Sequence, residues 1–385
     1  MPGILTVLLA GLCFSTIGFS ALVITAAREF FRRPVPVDPG FHPPVSILIP
    51  LCGTQPDALE NFSSFCRQDY PEYQLLFSVR SERDPSVETV RELIRRFPER
   101  DIQMVVGRTD LGANPKVNNL RTAEAQARHP FLAICDSDIR VGSGYLTRIV
   151  QPLRDSAVGA VTCMCRSLSK GWVGTVESLR ESTEFCPGVL AAWKTEGIRF
   201  TLGSTAVVRR EALEKIGGLA SIADYLADDF MLGKRIADAG FSVVLSQEVV
   251  EHSLATRCFT ALVRRQIRWN RGIRASRPWG YRGLLLTYGI PAGLLLTVVN
   301  GGSSWSWVLL GVTLLARLVM AYEVGVRQLK DRAVRRFLWA VPAQDLLSFV
   351  FWCLGLAGRA VDWRGQRFTL TSEGKLTEHA EALTR

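Results

Sequence analysis

The chain has 385 residues, a net charge of +10, a mean hydropathy of +0.15 and 48% hydrophobic residues. It is too apolar for an ordinary soluble domain, and the excess sits at the two ends. The positive balance does not point to nucleic acid, because no basic stretch is interleaved with base-stacking aromatics. Arginines instead crowd the flanks of the apolar runs, where anionic lipid headgroups account for them. Nine cysteines form no C-x-x-C pair and read as reduced, mostly buried thiols of a cytosolic domain.

Residues 4–27 carry no charge and are long enough to cross a hydrocarbon core of roughly 30 Å. Arg28, Arg32 and Arg33 follow the run rather than precede it, so 1–27 reads as an uncleaved anchor with the next domain in the cytosol. Prolines 34, 36, 39, 43 and 44 stiffen a basic linker, 28–44. Strands are predicted at 45–51, 74–79, 102–106 and 131–136, alternating with helices at 56–68, 86–97 and 115–128. That alternation indicates βαβ units and a mostly parallel sheet. Further strands are predicted at 158–165, 200–208 and 243–246, with helices at 175–190 and 228–239. Together these form one α/β domain, 45–256.

The stretch 257–282 is basic and amphipathic, with arginines at 257, 264, 265, 268, 271, 274 and 277, as expected of a helix in the membrane interface. Apolar runs 284–299 and 305–322, joined by Asn300-Gly301-Gly302-Ser303-Ser304, predict a transmembrane hairpin within 283–326. Segment 327–358 starts basic and turns apolar over 337–356, interrupted by Pro342 and Asp345. That stretch is either a fourth span or a re-entrant pair of half-helices, and the basic residues of 359–367 favour a cytosolic tail, 359–385, and hence the re-entrant form.

Four stations carry chemistry. Asp84, past the end of a strand, suits either hydrogen bonding to a nucleobase or ribose, or capping of the next helix. Asp136 and Asp138, in Cys135-Asp136-Ser137-Asp138 at the carboxyl end of a buried strand, suit a divalent cation held against a diphosphate, Mg2+ or Mn2+ for hard oxygen ligands. Ordinary turn residues are the competing reading. Asp228 and Asp229 open a helix, where they compensate its dipole or leave one carboxylate with a raised pKa as a general base. Arg265 and Arg268 share a helix face and could both reach a phosphate, with Trp269 as a stacking wall. Headgroup-facing arginines and an interfacial tryptophan are the alternative.

The ordered set of an Asp, a D-x-D site, a third Asp and then (Q/R)-x-x-R-W resembles the membrane-bound family-2/21-type glycosyltransferases. The resemblance is to the ceramide glucosyltransferase group and its bacterial relatives in hopanoid-lipid synthesis. The matching residues are Asp84, Asp136 with Asp138, Asp229, and Arg265 with Arg268-Trp269. Further similarity lies in Asn114-Pro115-Lys116-Val117-Asn118-Asn119-Leu120 and Trp363-Arg364-Gly365-Gln366-Arg367-Phe368. The resemblance implies a GT-A fold, a Rossmann-like mixed sheet, between N-terminal and C-terminal transmembrane helices. It implies binding of a UDP-sugar at Asp84, Lys116 and Asp136, and a metal at Asp136 and Asp138. It also implies catalysis by Asp229 as base with Arg265, Arg268 and Trp269.

The expected reaction is inverting transfer of one glucose or N-acetylglucosamine to a hydroxyl of a membrane lipid, ceramide or hopanoid. The bacterial relatives imply an inner-membrane protein with its catalytic domain facing the cytoplasm. Cys186-Pro187, where ceramide enzymes carry His-Pro, leans away from ceramide, whereas the Asn-Pro-Lys-Val-Asn-Asn-Leu run leans toward it. A processive polysaccharide synthase and a non-catalytic nucleotide-sugar or lipid-binding scaffold are the competing readings.

Overall fold

The computed structural model describes residues 2–55, 57–168, 170–254, 258–363 and 366–378. Arg257, Arg364 and Gly365, and Pro56 at the head of the predicted 56–68 helix, lie outside the described residues. The chain forms two compact units. A sheet unit comprises 34–168, 198–255 and 368–385, and a helical unit comprises 1–33, 169–197 and 256–367.

The sheet unit is built on eight strands: β1 Val45–Pro50, β2 Tyr73–Val79, β3 Ile102–Val106, β4 Phe131–Cys135, β5 Ile139–Arg140, β6 Val158–Leu168, β7 Thr205–Arg209 and β8 Ser242–Ser253. Their order is β3-β2-β1-β4-β7-β6-β8-β5. The first four are parallel, which explains why β1, β2 and β4 are buried along their whole lengths rather than on alternate residues. Phe62, Phe65, Phe77, Ile47, Ile49, Leu75 and Tyr145 are fully buried in the core against this half. Beyond β4 the sheet turns mixed, because β7 runs antiparallel to both β4 and β6.

Three sequence expectations change here. The predicted strand over 200–208 is reduced to β7, because residues 200–204 leave the ladder. Leu202 N–H donates to Thr162 Oγ1 at 3.0 Å, and a Cβ on Gly203 would come within 2.8 Å of Asp229 Oδ2. β8 runs well past the predicted 243–246, because an irregularity in the β6–β8 register between Cys163 and Met164 absorbs Gln247 and Glu248 and lets pairing resume. β5 is a two-residue strand with no sequence signal, held by β8 through Ile139 opposite His252.

Among the described residues, three helices of the helical unit are long and apolar enough to cross a membrane: Gly3–Arg32, Ser304–Gln328 and Arg332–Leu356. The apolar pair Pro278–Thr287 and Gly289–Val299 is bent by 53°. Leu338–Ala340 form a short 3-10 turn inside the apolar stretch Arg332–Leu356, and a sharper break falls at Tyr288, ahead of Pro291. There the carbonyl of Leu286 accepts from Thr16 Oγ1 at 3.1 Å. Gly289 and Gly293 let this segment close on its neighbours, since a Cβ would lie 2.6 Å from Thr16 Oγ1 and 2.9 Å from Leu310 respectively.

The predicted helix 175–190 is instead two helices, Gly171–Arg180 and Cys186–Thr195, joined by a wider π-turn, Glu181–Phe185. Pro187 has no N–H to give the carbonyl of Thr183 four residues back. Arg317 Nη1 donates to that carbonyl at 3.1 Å instead, while its Nε donates to Asp345 at 2.7 Å. Arg317 and Asp345 are 4% exposed each, so the pair is closed from solvent. Asp345, which interrupts the apolar run in the sequence, is thus the counter-ion of Arg317.

Arg317→Met is expected to destabilise the detergent-solubilised chain by about 3–5 kcal/mol, because it leaves a buried carboxylate unpaired. R317M/D345L is expected to recover part of that loss and no more, since the Thr183 carbonyl stays unmet. Unfolding midpoints of the two proteins check both statements.

Candidate active site

The site lies at the carboxyl end of β4, and the first turn of the helix after β3 supplies its central cation. Asn114 begins that arrangement. Its side chain accepts from the N–H groups of Lys116 and Val117 at 2.9 and 3.2 Å, capping helix Pro115–Glu124, with Pro115 at the first helical position. Its Nδ2 donates to the carbonyl of Tyr225 at 2.7 Å and to Asp228 Oδ1 at 3.3 Å. Asn118 closes the preceding loop through Leu111 and Gly112, and Asn119 donates to the carbonyl of Leu51 past β1. The Asn-Pro-Lys-Val-Asn-Asn run is a clamp, with each polar residue fastening a different loop of the same edge.

The clamp aims Lys116 into the cluster of acids. Its Nζ lies 2.7 Å from Asp136 Oδ1 and 3.4 Å from Asp228 Oδ2. Burial favours the neutral amine, but the charges of Asp136, Asp228 and Asp229 outweigh it and hold the ammonium well above its ordinary range. Asp136 is pushed up by burial and by Asp138, against the pull of Lys116. Its carboxylate keeps about a third of its surface open, at 34%.

Asp229 sits in the first turn of helix Asp228–Asp238, and its Oδ1 accepts the N–H of Phe230 at 2.8 Å. Burial and the neighbouring Asp228 push it up to about 6, with Lys116 and that N–H opposing. Gly203 faces Asp229 Oδ2 and Asp136 Oδ2, where a side chain would fill the space. This part of the site is a carboxylate poised to take a proton, beside a second carboxylate neutralised by a lysine.

Asp138 faces a partner that sequence reasoning missed: His252 Nε2 lies 3.4 Å from its Oδ2. No sequence signal carried β8 that far, because its apolar pattern is broken at Gln247 and Glu248, ahead of the histidine. Gln55 was missed too, and its Nε2 donates to Ser137 Oγ at 3.0 Å. Asp84 lies at the same edge, with both carboxylate oxygens accepting the N–H of Gly53 at 3.0 and 2.9 Å. Its Oδ1 also accepts from Ser86 N–H and Oγ, at 2.9 and 2.6 Å. Asp84 thus ties the loop after β1 to the start of helix Ser86–Arg96. Cys135 is buried beneath the site within reach of Thr205, and burial pushes its thiol up to about 12, which makes it inert.

In the helical unit the R-x-x-R-W residues lie on helix Phe259–Ser276. Arg265 Nη1 lies 3.2 Å from Glu177, and the guanidiniums of Arg265 and Arg180 both lie over the Trp269 ring, at 5.8 and 5.6 Å. Arg268 stacks over Trp363 at 5.7 Å, which brings the two late motifs together. The two arginines, expected to act on one phosphate from a common face, are engaged by different neighbours.

Comparison with known proteins agrees with the resemblance read from these motifs. Ceramide glucosyltransferase 3 of Caenorhabditis elegans is 28% identical over 232 residues, 59% of this chain and 50% of that protein. Ceramide glucosyltransferase 1 of the same species is 26% identical over 273 residues, 70% and 58% respectively. The chain therefore spans about half the length of the curated relatives it matches. A mannosyltransferase from Pyrobaculum calidifontis, solved in complex with GDP-Man and Mn2+, shares the fold with a TM-score of 0.57 at 20% identity, covering 91% of this chain and 98% of that one. The model of glycosyl transferase family 21 matches residues 5–376. The chain belongs to glycosyl transferase family 21.

Proposed function

We propose that this chain transfers one sugar from a UDP-sugar to a hydroxyl of a membrane lipid, with inversion at the anomeric carbon. The observation that carries the reading is the cluster in which Lys116 neutralises Asp136 and Asp228 while Asp229 is held at about 6. Asp229 takes the proton of the acceptor hydroxyl. The acceptor oxygen forms a bond to the anomeric carbon, and the bond from that carbon to the diphosphate breaks with its electron pair leaving on UDP. Gly203 keeps the space beside Asp229 free of a side chain.

Glucose and a ceramide-type acceptor are favoured by the names of the curated relatives. The apolar helices support a lipid acceptor taken from the bilayer. The basic flanks of 28–33 and 327–336 favour the cytosolic face for the sheet unit.

The donor set suits Mg2+ or Mn2+. Asp138 and His252 offer an oxygen and a nitrogen 3.4 Å apart, close to the roughly 3 Å between adjacent ligands at bonds of about 2.1 Å. Asp136 would join them through the oxygen that Lys116 leaves. When bound, the cation would offset the charge of the departing diphosphate. Asp84 holds the loop after β1 through Gly53, at the edge where the nucleotide would bind.

Three outcomes follow for the full chain reconstituted in lipid. Asp229→Asn lowers kcat by about 10²–10⁴ while leaving UDP-sugar binding within twofold, measured by transfer kinetics and calorimetry. Full turnover in this variant removes Asp229 as base. The wild-type kcat/KM falls about tenfold per pH unit below about 6, because the raised Asp229 must be ionised to accept a proton. A profile flat to pH 5 contradicts this. Chelation weakens UDP binding in the wild type, whereas Asp138→Ala and His252→Ala proteins bind UDP equally with and without Mn2+. An undiminished Mn2+ effect in both variants rejects the metal site.

A further inference from the structure

Just ahead of Asp228 the chain runs through a short stretch, 223–226, whose backbone polar groups are shared between two neighbours. One neighbour is the loop that leads to Lys116. The N–H of Asn114 donates to the carbonyl of Ala223 at 2.8 Å, the N–H of Ala113 to Asp224 Oδ1 at 2.9 Å, and Asn114 Nδ2 to the carbonyl of Tyr225 at 2.7 Å. The approach is close: a Cβ on Gly112 would lie 2.4 Å from Asp224 Oδ1.

The other neighbour comes from more than 140 residues further along the chain. Residues 368–378 fold with the sheet unit as an antiparallel hairpin, Leu370 opposite Leu376, with Phe368, Leu370 and Leu376 buried. Thr371 closes its turn: its N–H donates to the carbonyl of Lys375 at 2.9 Å, and its Oγ1 accepts the N–H of Lys375 at 3.1 Å. Gly374 takes the left-handed backbone the turn requires, at φ 83°. This turn meets the stretch residue for residue. Leu376 N–H donates to the Asp224 carbonyl at 2.6 Å, Leu226 N–H donates to the Gly374 carbonyl at 3.2 Å, and Tyr225 and Lys375 form the antiparallel bridge between those bonds. The Lys375 ammonium lies over the Tyr225 ring, 5.7 Å from its centre.

The carbonyls of Ala223 and Tyr225 are thus met from the Lys116 loop, and the Asp224 carbonyl and Leu226 N–H from the hairpin. The stretch is held on both edges like a middle strand. Only Ala227 separates it from Asp228, which lies 3.4 Å from Lys116, and from Asp229 beyond. A shift of the stretch is therefore passed directly to both acids. Lys116 has anchors of its own, since Asn118 donates to the carbonyl of Gly112 and Asn119 to that of Leu51, each at 2.9 Å. Thr201 Oγ1 donates to the Asp229 carbonyl at 2.6 Å, so the start of that helix keeps a second hold when the hairpin contact is weakened.

We propose that the hairpin turn 371–376 is a clasp for the catalytic base, in which Gly374 and Leu376 act as positioning residues that fix, through the backbone of Asp224 and Leu226, where Asp229 stands relative to Lys116. This rests on the glycosyl-transfer reading above and adds to it the residues that hold the base in place.

The test uses the full chain reconstituted in lipid, with UDP-glucose as donor and ceramide or a polyhydroxylated hopanoid as acceptor, alongside amide hydrogen exchange over 223–229. Leu376→Pro removes the N–H that meets Asp224, and Gly374→Val strains the turn without removing a donor or an acceptor. Both are expected to speed exchange over 223–229 and to lower kcat about 10–100-fold, because a misplacement of about 1 Å is enough. The UDP-glucose KM and binding stoichiometry should stay within about twofold. Gly374→Asn, which tolerates positive φ, should retain kcat. Thr377→Val, which loses only a bond to the Thr369 carbonyl inside the hairpin, should change neither exchange nor kcat. Unchanged exchange over 223–229, or unchanged kcat in both variants of a wild type that transfers sugar, overturns the clasp. So does a kcat that falls only in step with binding stoichiometry, which makes the hairpin a general support of the fold. A wild type that transfers to neither acceptor refutes the glycosyl-transfer reading, while faster exchange confined to 223–229 in the variants still supports the clasp.

Discussion

The site depends on one half-buried ammonium, that of Lys116. Asp136 reaches it from the end of β4, Asp228 from the start of a helix after β7, and Lys116 from the first turn of the helix after β3. Unscreened carboxylates this close together repel, and at least one would stay protonated. Lys116 removes that penalty for the two it touches. Its position follows from Asn114, whose side chain caps its helix and grips the segment that carries Asp228. A single asparagine therefore sets the position of the lysine and the distance of the lysine from the acids.

The same contact divides the aspartates by task. Asp136 takes the short interaction with Lys116, which opposes the upward push of burial. Asp229 has one backbone N–H instead, and its neighbour Asp228 raises it. Burial raises both acids, but the surroundings of the two differ: Lys116 touches Asp136, whereas Asp228 adjoins Asp229. A metal-binding role and a proton-accepting role demand that difference.

Much of this was legible in sequence. The parallel half of the sheet followed from short apolar strands alternating with helices, and Asp136, Asp138 and Asp229 stood out because each ends or opens an element. His252 stayed hidden because the irregularity opposite Cys163–Met164 breaks the alternation of β8 before the histidine is reached. Asp84 was visible as a carboxylate at a strand end, but its internal partners, Gly53 and Ser86, are a matter of loop geometry that no spacing reveals. Arg265 and Arg268 were placed on one helix face correctly by period. What the period could not supply is the neighbour each would meet, Glu177 for one and Trp363 for the other.

The helical unit carries more buried charge than its apolar composition suggests, and one residue explains much of it. Pro187 withholds the N–H that would have met Thr183, and the helix widens into a π-turn just before it. Arg317 reaches the freed carbonyl, and Asp345 follows because a buried guanidinium requires a counter-ion. Thr183 itself is fully buried in the turn, and its hydroxyl has no hydrogen-bond partner. Without Pro187, a straight helix over 175–190 would have satisfied its own backbone and needed neither Arg317 nor Asp345.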